Sequence, residues 1–206
     1  MSYPKIFLMS RWEINILNVI VSGGRDTYKP SEDTLLLASN ISSLVVNADV
    51  VFDVGTGSGV LAILASKSDV YTVAIDISID TLYDAYKNIC RNNVDKNMDI
   101  ILGDALESIR HEIDGVVVIS NPPYLPGIHN LKDDHLYISG SQGIEVASKI
   151  AWWISKCPGG TGYIILSSYS NLELFRKILE NLGLRYEIVD KMVLNGETLF
   201  LYKIEK

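Results

Sequence analysis

The sequence is poor in cysteine and contains no long apolar segment. Its two cysteines, Cys90 and Cys157, lie far apart and lack the spacing of metal ligands. We therefore expect no disulfide framework and no metal site, and two unpaired cysteines are typical of a reduced, cytoplasmic protein. No apolar run approaches the roughly 20 residues that a membrane-spanning helix needs. The apolar N-terminus is interrupted by Lys5, Arg11 and Glu13 and has no signal-peptide cleavage site, so no membrane association is expected.

Basic residues are also few, and linkers are absent. The 18 lysines and arginines are outnumbered by 25 acidic residues, which gives a net charge of −7 and argues against a broad nucleic-acid-binding surface. No repeat, low-complexity tract or linker divides the chain. We predict an N-terminal extension of strand pieces over residues 1–27 and a single domain over residues 28–206. Within the extension, the β-type run 14–21 is expected to end at Gly23-Gly24.

Within that domain, short β-type runs alternate with helical patterns, which predicts a parallel sheet. The first helix is expected from an N-cap at Ser31 to about Val46. A short helix is expected around Leu106. Asn195-Gly196 favours a type I′ hairpin turn. The predicted strands are 50–54, 70–75, 98–102, 114–120, 163–166, 185–193 and 197–204, and the other helices are 60–67, 78–92, one from about 144, and 172–181. The fold class is therefore α/β, a doubly wound sheet that is mostly parallel with a C-terminal antiparallel hairpin.

A glycine-rich turn, Asp53-Val54-Gly55-Thr56-Gly57-Ser58-Gly59, follows the first of these strands. Doubly wound sheets bind ligands at this position, and glycine permits close approach of the backbone. Asp53 suits a cationic amino-acid group, Asp76 could accept hydrogen bonds from two ribose hydroxyls, and Asp104 could meet an adenine edge. A dinucleotide fingerprint, Gly57-x-Gly59-x-x-Ala62, fits the same turn. The glycines alone therefore do not separate a nicotinamide cofactor from S-adenosylmethionine.

A second motif, Asn121-Pro122-Pro123-Tyr124, follows the predicted strand 114–120. An amide or aromatic amino nitrogen is a poor nucleophile, since its lone pair is delocalised, so positioning is the remedy we expect. The Asn121 side-chain oxygen and the Pro122 carbonyl could each accept one N–H, the prolines would fix that geometry, and Tyr124 could stack on the planar group. A rigid proline turn without function is the simpler explanation, but this position after the glycine turn favours transfer of a methyl group to nitrogen.

The sequence resembles the HemK-type protein-(glutamine-N5) methyltransferases, specifically the short archaeal and eukaryotic branch that lacks the N-terminal helical domain. The resemblance covers residues 28–204 and rests on Tyr28-Lys29-Pro30-Ser31-Glu32-Asp33-Thr34, residues 53–59 and residues 121–126. It implies a Rossmann-like class I fold that uses S-adenosyl-L-methionine and methylates the Gly-Gly-Gln glutamine of a class I peptide-chain release factor. A small zinc-binding activator subunit is also implied. Residues 139–145 depart from the family pattern, since Ile144 stands where an arginine is usual.

The motifs and the resemblance together give the candidate site residues. The catalytic residues are expected to be Asn121, Pro122, Pro123 and Tyr124. The cofactor-binding residues are expected to be Tyr28, Pro30, Glu32, Thr34, Asp53, Gly55, Thr56, Gly57, Gly59, Asp76, Ile77, Asp104, Ala105 and Asn121.

Two other functions stay open at this point. Adenine or guanine amino groups of tRNA, rRNA or DNA present the same planar nitrogen, so a nucleic-acid N-methyltransferase is the main alternative. The acidic charge and the lack of a sizeable Lys/Arg cluster argue against it. A non-catalytic subunit that binds cofactor and supports a partner is the other possibility, and the intact tetrapeptide argues against that.

Overall fold

The computed structural model describes residues 11–127 and 134–206, which build two sheets. The main sheet has seven strands in the order β5-β4-β3-β6-β7-β9-β8, and β1 and β2 form a separate hairpin. No helix in these two stretches is both long and apolar enough to cross a membrane. The strands are β1 Trp12–Ile16, β2 Val19–Gly23, β3 Val50–Val54, β4 Tyr71–Asp76, β5 Met98–Leu102, β6 Val116–Ser120, β7 Thr161–Ser167, β8 Arg185–Leu194 and β9 Glu197–Glu205. The helices are α1 Glu32–Ala38, α2 Ile41–Leu44, α3 Val60–Ser66, α4 Ile79–Arg91, α5 Glu145–Lys156 and α6 Leu172–Asn181.

The centre of the sheet is parallel and covered on both faces. β3 pairs with β4 and β6, and β6 pairs with β7, all in parallel register. All five residues of β6 are buried, which explains why its apolar residues run without alternation. The core lies on both sides of the sheet, one cluster around α3 and the other around α5 and α6. The predicted α/β doubly wound fold is confirmed.

The C-terminal hairpin closes the sheet in the antiparallel direction. β9 inserts between β7 and β8 and pairs with both in antiparallel register. The turn between β8 and β9 contains Gly196 at φ +84°, a conformation that glycine adopts without strain. The antiparallel hairpin predicted from Asn195-Gly196 is therefore confirmed. The type I′ turn is wrong, because that turn needs positive φ at both central residues and Asn195 does not have it.

Two of the predicted helices are wrong. The helix expected from 31 to 46 is two helices, α1 and α2, separated at Asn40. The Asn40 side chain donates to the Leu36 carbonyl, and the Ser31 hydroxyl bonds to Glu32 instead of capping the helix; side chains of this type compete with the helical backbone. Around Leu106 the chain forms successive turns rather than a helix.

The β1–β2 hairpin lies against α4, and two asparagine side chains of α4 form hydrogen bonds with the backbone of β2, as a neighbouring strand would. Asn88 accepts a hydrogen bond from the Ser22 N–H and donates to the Ser22 carbonyl at 2.9 Å. Asn92, one turn later, makes the equivalent pair of bonds with Ile20. The outer edge of β2 is thereby satisfied without a further strand. The division into an extension and a domain stays a prediction.

Two adjacent tryptophans of α5 differ in burial, so replacing each of them measures how much the buried face of this helix contributes to stability. Trp153 is 1% exposed, stacks edge-on against Phe52 and donates to the Ile109 carbonyl at 3.0 Å, whereas Trp152 is 50% exposed. Trp153→Ala should lower the free energy of unfolding by about 3–5 kcal/mol because it leaves a cavity. Trp152→Ala, the matched control, should lower it by about 1 kcal/mol or less. Urea unfolding measures both, and equal losses would contradict this packing.

Candidate functional site

The carboxyl ends of the parallel strands meet at one edge of the sheet and surround a cavity of about 400 Å³. This volume is typical of small-molecule sites, and the position is where doubly wound sheets bind ligands. Most of the predicted site residues line it: Tyr28, Pro30, Thr34, Gly55, Thr56, Gly57, Asp76, Ile77, Asp104, Ala105, Asn121, Pro122, Pro123 and Tyr124. Glu32, Asp53 and Gly59 do not.

The glycine turn forms one wall of the cavity. Gly55, Gly57 and Gly59 all have positive φ, at +70°, +56° and +80°, which side chains adopt only with strain. The backbone N–H groups of residues 55 and 56 both donate to the Ile75 carbonyl at 2.9 Å, which fixes the turn to the end of β4. Gly59 serves packing instead, since a Cβ atom there would lie 3.4 Å from that of Ala85 in α4.

Asp53 lies behind the glycine turn rather than in the cavity. Its carboxylate is fully buried and accepts hydrogen bonds from the Thr56 hydroxyl at 2.7 Å and the Ala62 N–H at 3.0 Å. Burial raises the pKa of Asp53 to about 7, against the opposing effect of these two bonds. Asp53 therefore braces the turn against α3 and does not line the cavity, and its expected contact with a ligand stays a prediction.

The next two strand ends contribute further acidic groups. Asp76 accepts hydrogen bonds from the N–H groups of Gly57 and Ser78 at 3.1 and 3.0 Å, and burial raises the pKa of its carboxyl group. Asp104 lines the cavity but forms an ion pair with Lys149 of α5. Lys149 also lines the cavity and was not predicted, since its spacing within α5 gives no sign of it. Both carboxylates can accept hydroxyl or amino hydrogens.

The tetrapeptide after β6 faces the cavity from the opposite side. The Asn121 amide nitrogen donates to the Thr34 hydroxyl at 3.2 Å. Among the described residues nothing donates to the Asn121 side-chain oxygen, although that oxygen is shielded from solvent. The Tyr124 hydroxyl donates to Asp33 at 3.0 Å, and its carbonyl accepts from Ser170 at 2.9 Å. The arrangement leaves one buried acceptor, the Asn121 oxygen, available to a ligand.

The segment 28–34 lies over the tetrapeptide. Tyr28 and Thr34 line the cavity, whereas Glu32 is exposed and bonds only to Ser31 among the described contacts. Asp33 also lines the cavity and, like Lys149, was not predicted. Its carboxylate accepts a hydrogen bond from the Tyr28 hydroxyl at 2.8 Å as well as from Tyr124. Burial and this shared carboxylate raise the pKa of both tyrosines, so both stay protonated as donors.

Residues 125–127 and 134–142, which follow the tetrapeptide, are held to each other by backbone hydrogen bonds. The Leu125 N–H donates to the Tyr137 carbonyl at 2.9 Å, and the Ser139 N–H donates to the Leu125 carbonyl at 3.0 Å. Gly143, at φ +69°, packs so closely that a Cβ atom would lie 2.2 Å from the Tyr124 carbonyl oxygen. Residues 128–133, which include His129, lie outside the described part. Within that part, no group of His, Cys, Asp or Glu side chains could hold a metal ion.

Comparison with known proteins shows which family the chain belongs to. A family model described as ribosomal protein L11 methyltransferase (PrmA) matches residues 32–148, more than half of the chain. A protein of Methanocaldococcus jannaschii, named provisionally as a protein N5-glutamine methyltransferase, is 29% identical over 183 residues, which are 85% of this chain and 90% of that protein. The release factor glutamine methyltransferase of Agrobacterium fabrum is 29% identical over 126 residues, and the match spans 57% of this chain and 42% of that protein.

Solved structures agree with these relatives. The E. cuniculi Mtq2–Trm112 complex, described as responsible for the methylation of the eRF1 translation termination factor, superposes with a TM-score of 0.69 and 26% identity. The match covers 88% of this chain and 99% of that chain. The human Mettl16 catalytic domain, solved with an RNA hairpin, has a TM-score of 0.70 but 13% identity and shows the fold alone. The fold is that of the class I methyltransferases.

The burial of Asp53 predicts a pH dependence of stability. A carboxyl group whose pKa rises from 3.8 to about 7 on folding binds more protons in the native state, so its contribution to the free energy of unfolding falls as pH rises through that range. Asp53→Asn removes this titration. The free energy of unfolding of the original protein minus that of the variant should therefore decrease from pH 5 to pH 8. Urea unfolding without cofactor measures the difference, and a constant value would refute the prediction.

Proposed function

This chain belongs to the ribosomal protein L11 methyltransferase (PrmA) family, and we propose that it is a HemK-type methyltransferase that methylates the side-chain amide of a release-factor glutamine. The glutamine would be that of the Gly-Gly-Gln motif in a class I peptide-chain release factor. The observation that carries the proposal is the side-chain oxygen of Asn121, a residue that lines the cavity. This oxygen is buried and has no donor among the described residues.

The cavity fits S-adenosylmethionine as the second substrate. The glycine turn exposes backbone at Gly55, where a Cβ atom would meet nothing within 4 Å. Asp76 offers carboxylate oxygens for two ribose hydroxyls, and Ile77 and Ala105 provide apolar surface for a base. S-adenosylmethionine supplies an electrophilic methyl group when bound. Asp53 would hold the turn in shape from behind, so its effect on cofactor binding is indirect.

The tetrapeptide supplies the positioning that an amide nitrogen requires. The Asn121 oxygen and the Pro122 carbonyl each accept one N–H of the glutamine amide, so that the NH₂ group is held in one orientation. As the nitrogen bonded to the methyl carbon and the methyl–sulfur bond broke, the nitrogen would gain positive charge, which these two acceptors would stabilise until one N–H proton left to water. The two prolines restrict the backbone dihedral angles of the turn. The Tyr124 ring packs beside the planar amide and orients it.

The protein substrate and the partner follow from relatives rather than from this cavity. Support for a release factor comes from the Agrobacterium fabrum enzyme and from Mtq2, whose names and titles refer to release or termination factors. The Mtq2 structure also contains Trm112, and we infer that this chain works with a small zinc-binding activator subunit of that kind. Because release factors act in the cytoplasm, we infer that this protein is cytoplasmic as well. Its two free cysteines are consistent with that location.

The substrate assignment is tested by incubating the protein, with and without a Trm112-type subunit, with isotopically labelled S-adenosylmethionine and one of two acceptors. The acceptors are the organism's class I release factor and bulk tRNA. We expect label in the release factor, with mass spectrometry placing one methyl group on the Gly-Gly-Gln glutamine. Label in tRNA alone would replace the proposed function with nucleic-acid methylation, and a nicotinamide cofactor in the purified protein would also overturn it.

Substitution of Asn121 tests the proposed chemistry. Asn121→Ala removes one of two acceptors for the reacting amide and should reduce methyl transfer by about a thousandfold or more. The dissociation constant for S-adenosylmethionine, measured by calorimetry, should change by less than about threefold, since the acceptor amide and not the cofactor contacts this oxygen. Asn40→Ala, which alters an asparagine outside the cavity, is the matched control. Unchanged turnover in Asn121→Ala would remove the mechanism.

A further inference from the structure

Asp33 is a buried carboxylate at the edge of the candidate site, with a role that the tetrapeptide mechanism does not explain. It is 4% exposed and accepts four hydrogen bonds, from the Tyr28 and Tyr124 hydroxyls and from the N–H and hydroxyl of Thr34. Each of these donors is neutral. Burying a carboxylate against neutral donors costs free energy that an apolar residue would not, which points to a function beyond packing.

The bond between Asp33 and Thr34 sets the direction of a hydrogen-bond chain. The Thr34 hydroxyl donates its hydrogen to the Asp33 carboxylate at 3.2 Å, since carboxylate oxygens act as hydrogen-bond acceptors. The hydroxyl oxygen is then left to accept from the Asn121 amide nitrogen at 3.2 Å. With its NH₂ group held there, the Asn121 amide presents its oxygen to the cavity. The carboxylate thereby selects which end of this amide faces the substrate.

The second oxygen of the same carboxylate orders the aromatic side of the site. It accepts from Tyr28 at 2.8 Å and from Tyr124 at 3.0 Å, so one group holds two rings that line the cavity. Tyr28 also packs edge-on against Tyr137, with ring centroids 5.7 Å apart. The acceptor oxygen and the ring of the tetrapeptide are thus both positioned from Asp33.

We propose that Asp33 is the positioning residue of this methyltransferase, which orients the Asn121 amide through the Thr34 hydroxyl and the Tyr124 ring by a direct hydrogen bond. The inference rests on the proposed function, because it assumes that the Asn121 oxygen binds the reacting amide. A carboxamide at position 33 would keep the shape but could donate a hydrogen bond. The Thr34 hydroxyl would then be free to donate toward Asn121, whose amide would rotate and present NH₂ to the substrate NH₂.

The test compares Asp33→Asn with the matched control Asp84→Asn. Asp84 is equally buried, at 5% exposed, and bonds to Arg11, Gly24 and Thr27 away from the tetrapeptide. Asp33→Asn should lower kcat by about a hundredfold while the dissociation constant for S-adenosylmethionine changes less than about threefold. Asp84→Asn should leave kcat within about twofold at a temperature where it is folded. Equal kcat losses in the two variants, or unchanged kcat in Asp33→Asn, would overturn the proposal.

Substitutions of Thr34 separate positioning from a general structural role. Thr34→Val removes the relaying hydroxyl and should also lower kcat, whereas Thr34→Ser should keep kcat within about threefold of the original. Combined with Asp33→Asn, Thr34→Val should reduce kcat much less than the product of the two single effects, since both act through one chain of hydrogen bonds. Multiplicative effects, or no rescue by serine, would show that Asp33 does not act through Thr34.

A spectroscopic measurement keeps the inference independent of the substrate. In the protein with S-adenosylmethionine and no acceptor, the side-chain NH₂ protons of Asn121 should give a nuclear Overhauser effect to the Thr34 methyl group. Asp33→Asn should abolish that effect, and Asp84→Asn should not. If the release factor is not methylated but these results hold, the proposed function fails and the role of Asp33 stands. If the Overhauser effect persists in Asp33→Asn, the inference fails whatever the substrate.

Discussion

The alignment of four strand ends is the constraint on which the site depends. β3, β4, β5 and β6 run parallel in one register, so the glycine turn, Asp76, Asp104 and Asn121 all arrive at the same edge. β6 is buried along its whole length, and two prolines follow Asn121 at its end. The backbone position of Asn121 is therefore fixed. The core of the sheet therefore sets the distance between the glycine turn and Asn121.

Contacts between distant parts of the chain give the site its orientation. Almost half of the sequence separates the tetrapeptide from the segment around Asp33. Two side-chain hydrogen bonds nevertheless join them, from Asn121 to Thr34 and from Tyr124 to Asp33, and the bond from Thr34 to Asp33 completes the chain. Asp53 acts in a similar way on the other wall, where it ties Thr56 to the start of α3. In both places a buried carboxylate holds neighbouring groups by hydrogen bonds, although only Asp33 also lines the cavity. Such support is a common way to hold functional groups in one geometry.

The sequence predicted elements well where one physical signal dominated. The strands 50–54 and 98–102 agree residue by residue, because apolar runs end at glycine, aspartate or turn residues. The helix predicted over 31–46 failed because the Asn40 side chain competes for a backbone carbonyl, an effect invisible to periodicity. For the site, the motifs identified the segments that surround the cavity but not which of their side chains point into it. Asp53 and Glu32 point away from the cavity, and Asp33 proved to be the linked residue.

The asparagine contacts of α4 have a consequence for the behaviour of the whole molecule. Asn88 donates one amide hydrogen to the Ser22 carbonyl of the β1–β2 hairpin and the other to the Ser58 carbonyl of the glycine turn. Order in the hairpin and order in the turn are therefore thermodynamically linked. A ligand that orders the glycine turn therefore also stabilises the β1–β2 hairpin. By reciprocity, a partner that binds β1 and β2 changes the affinity of the turn for that ligand.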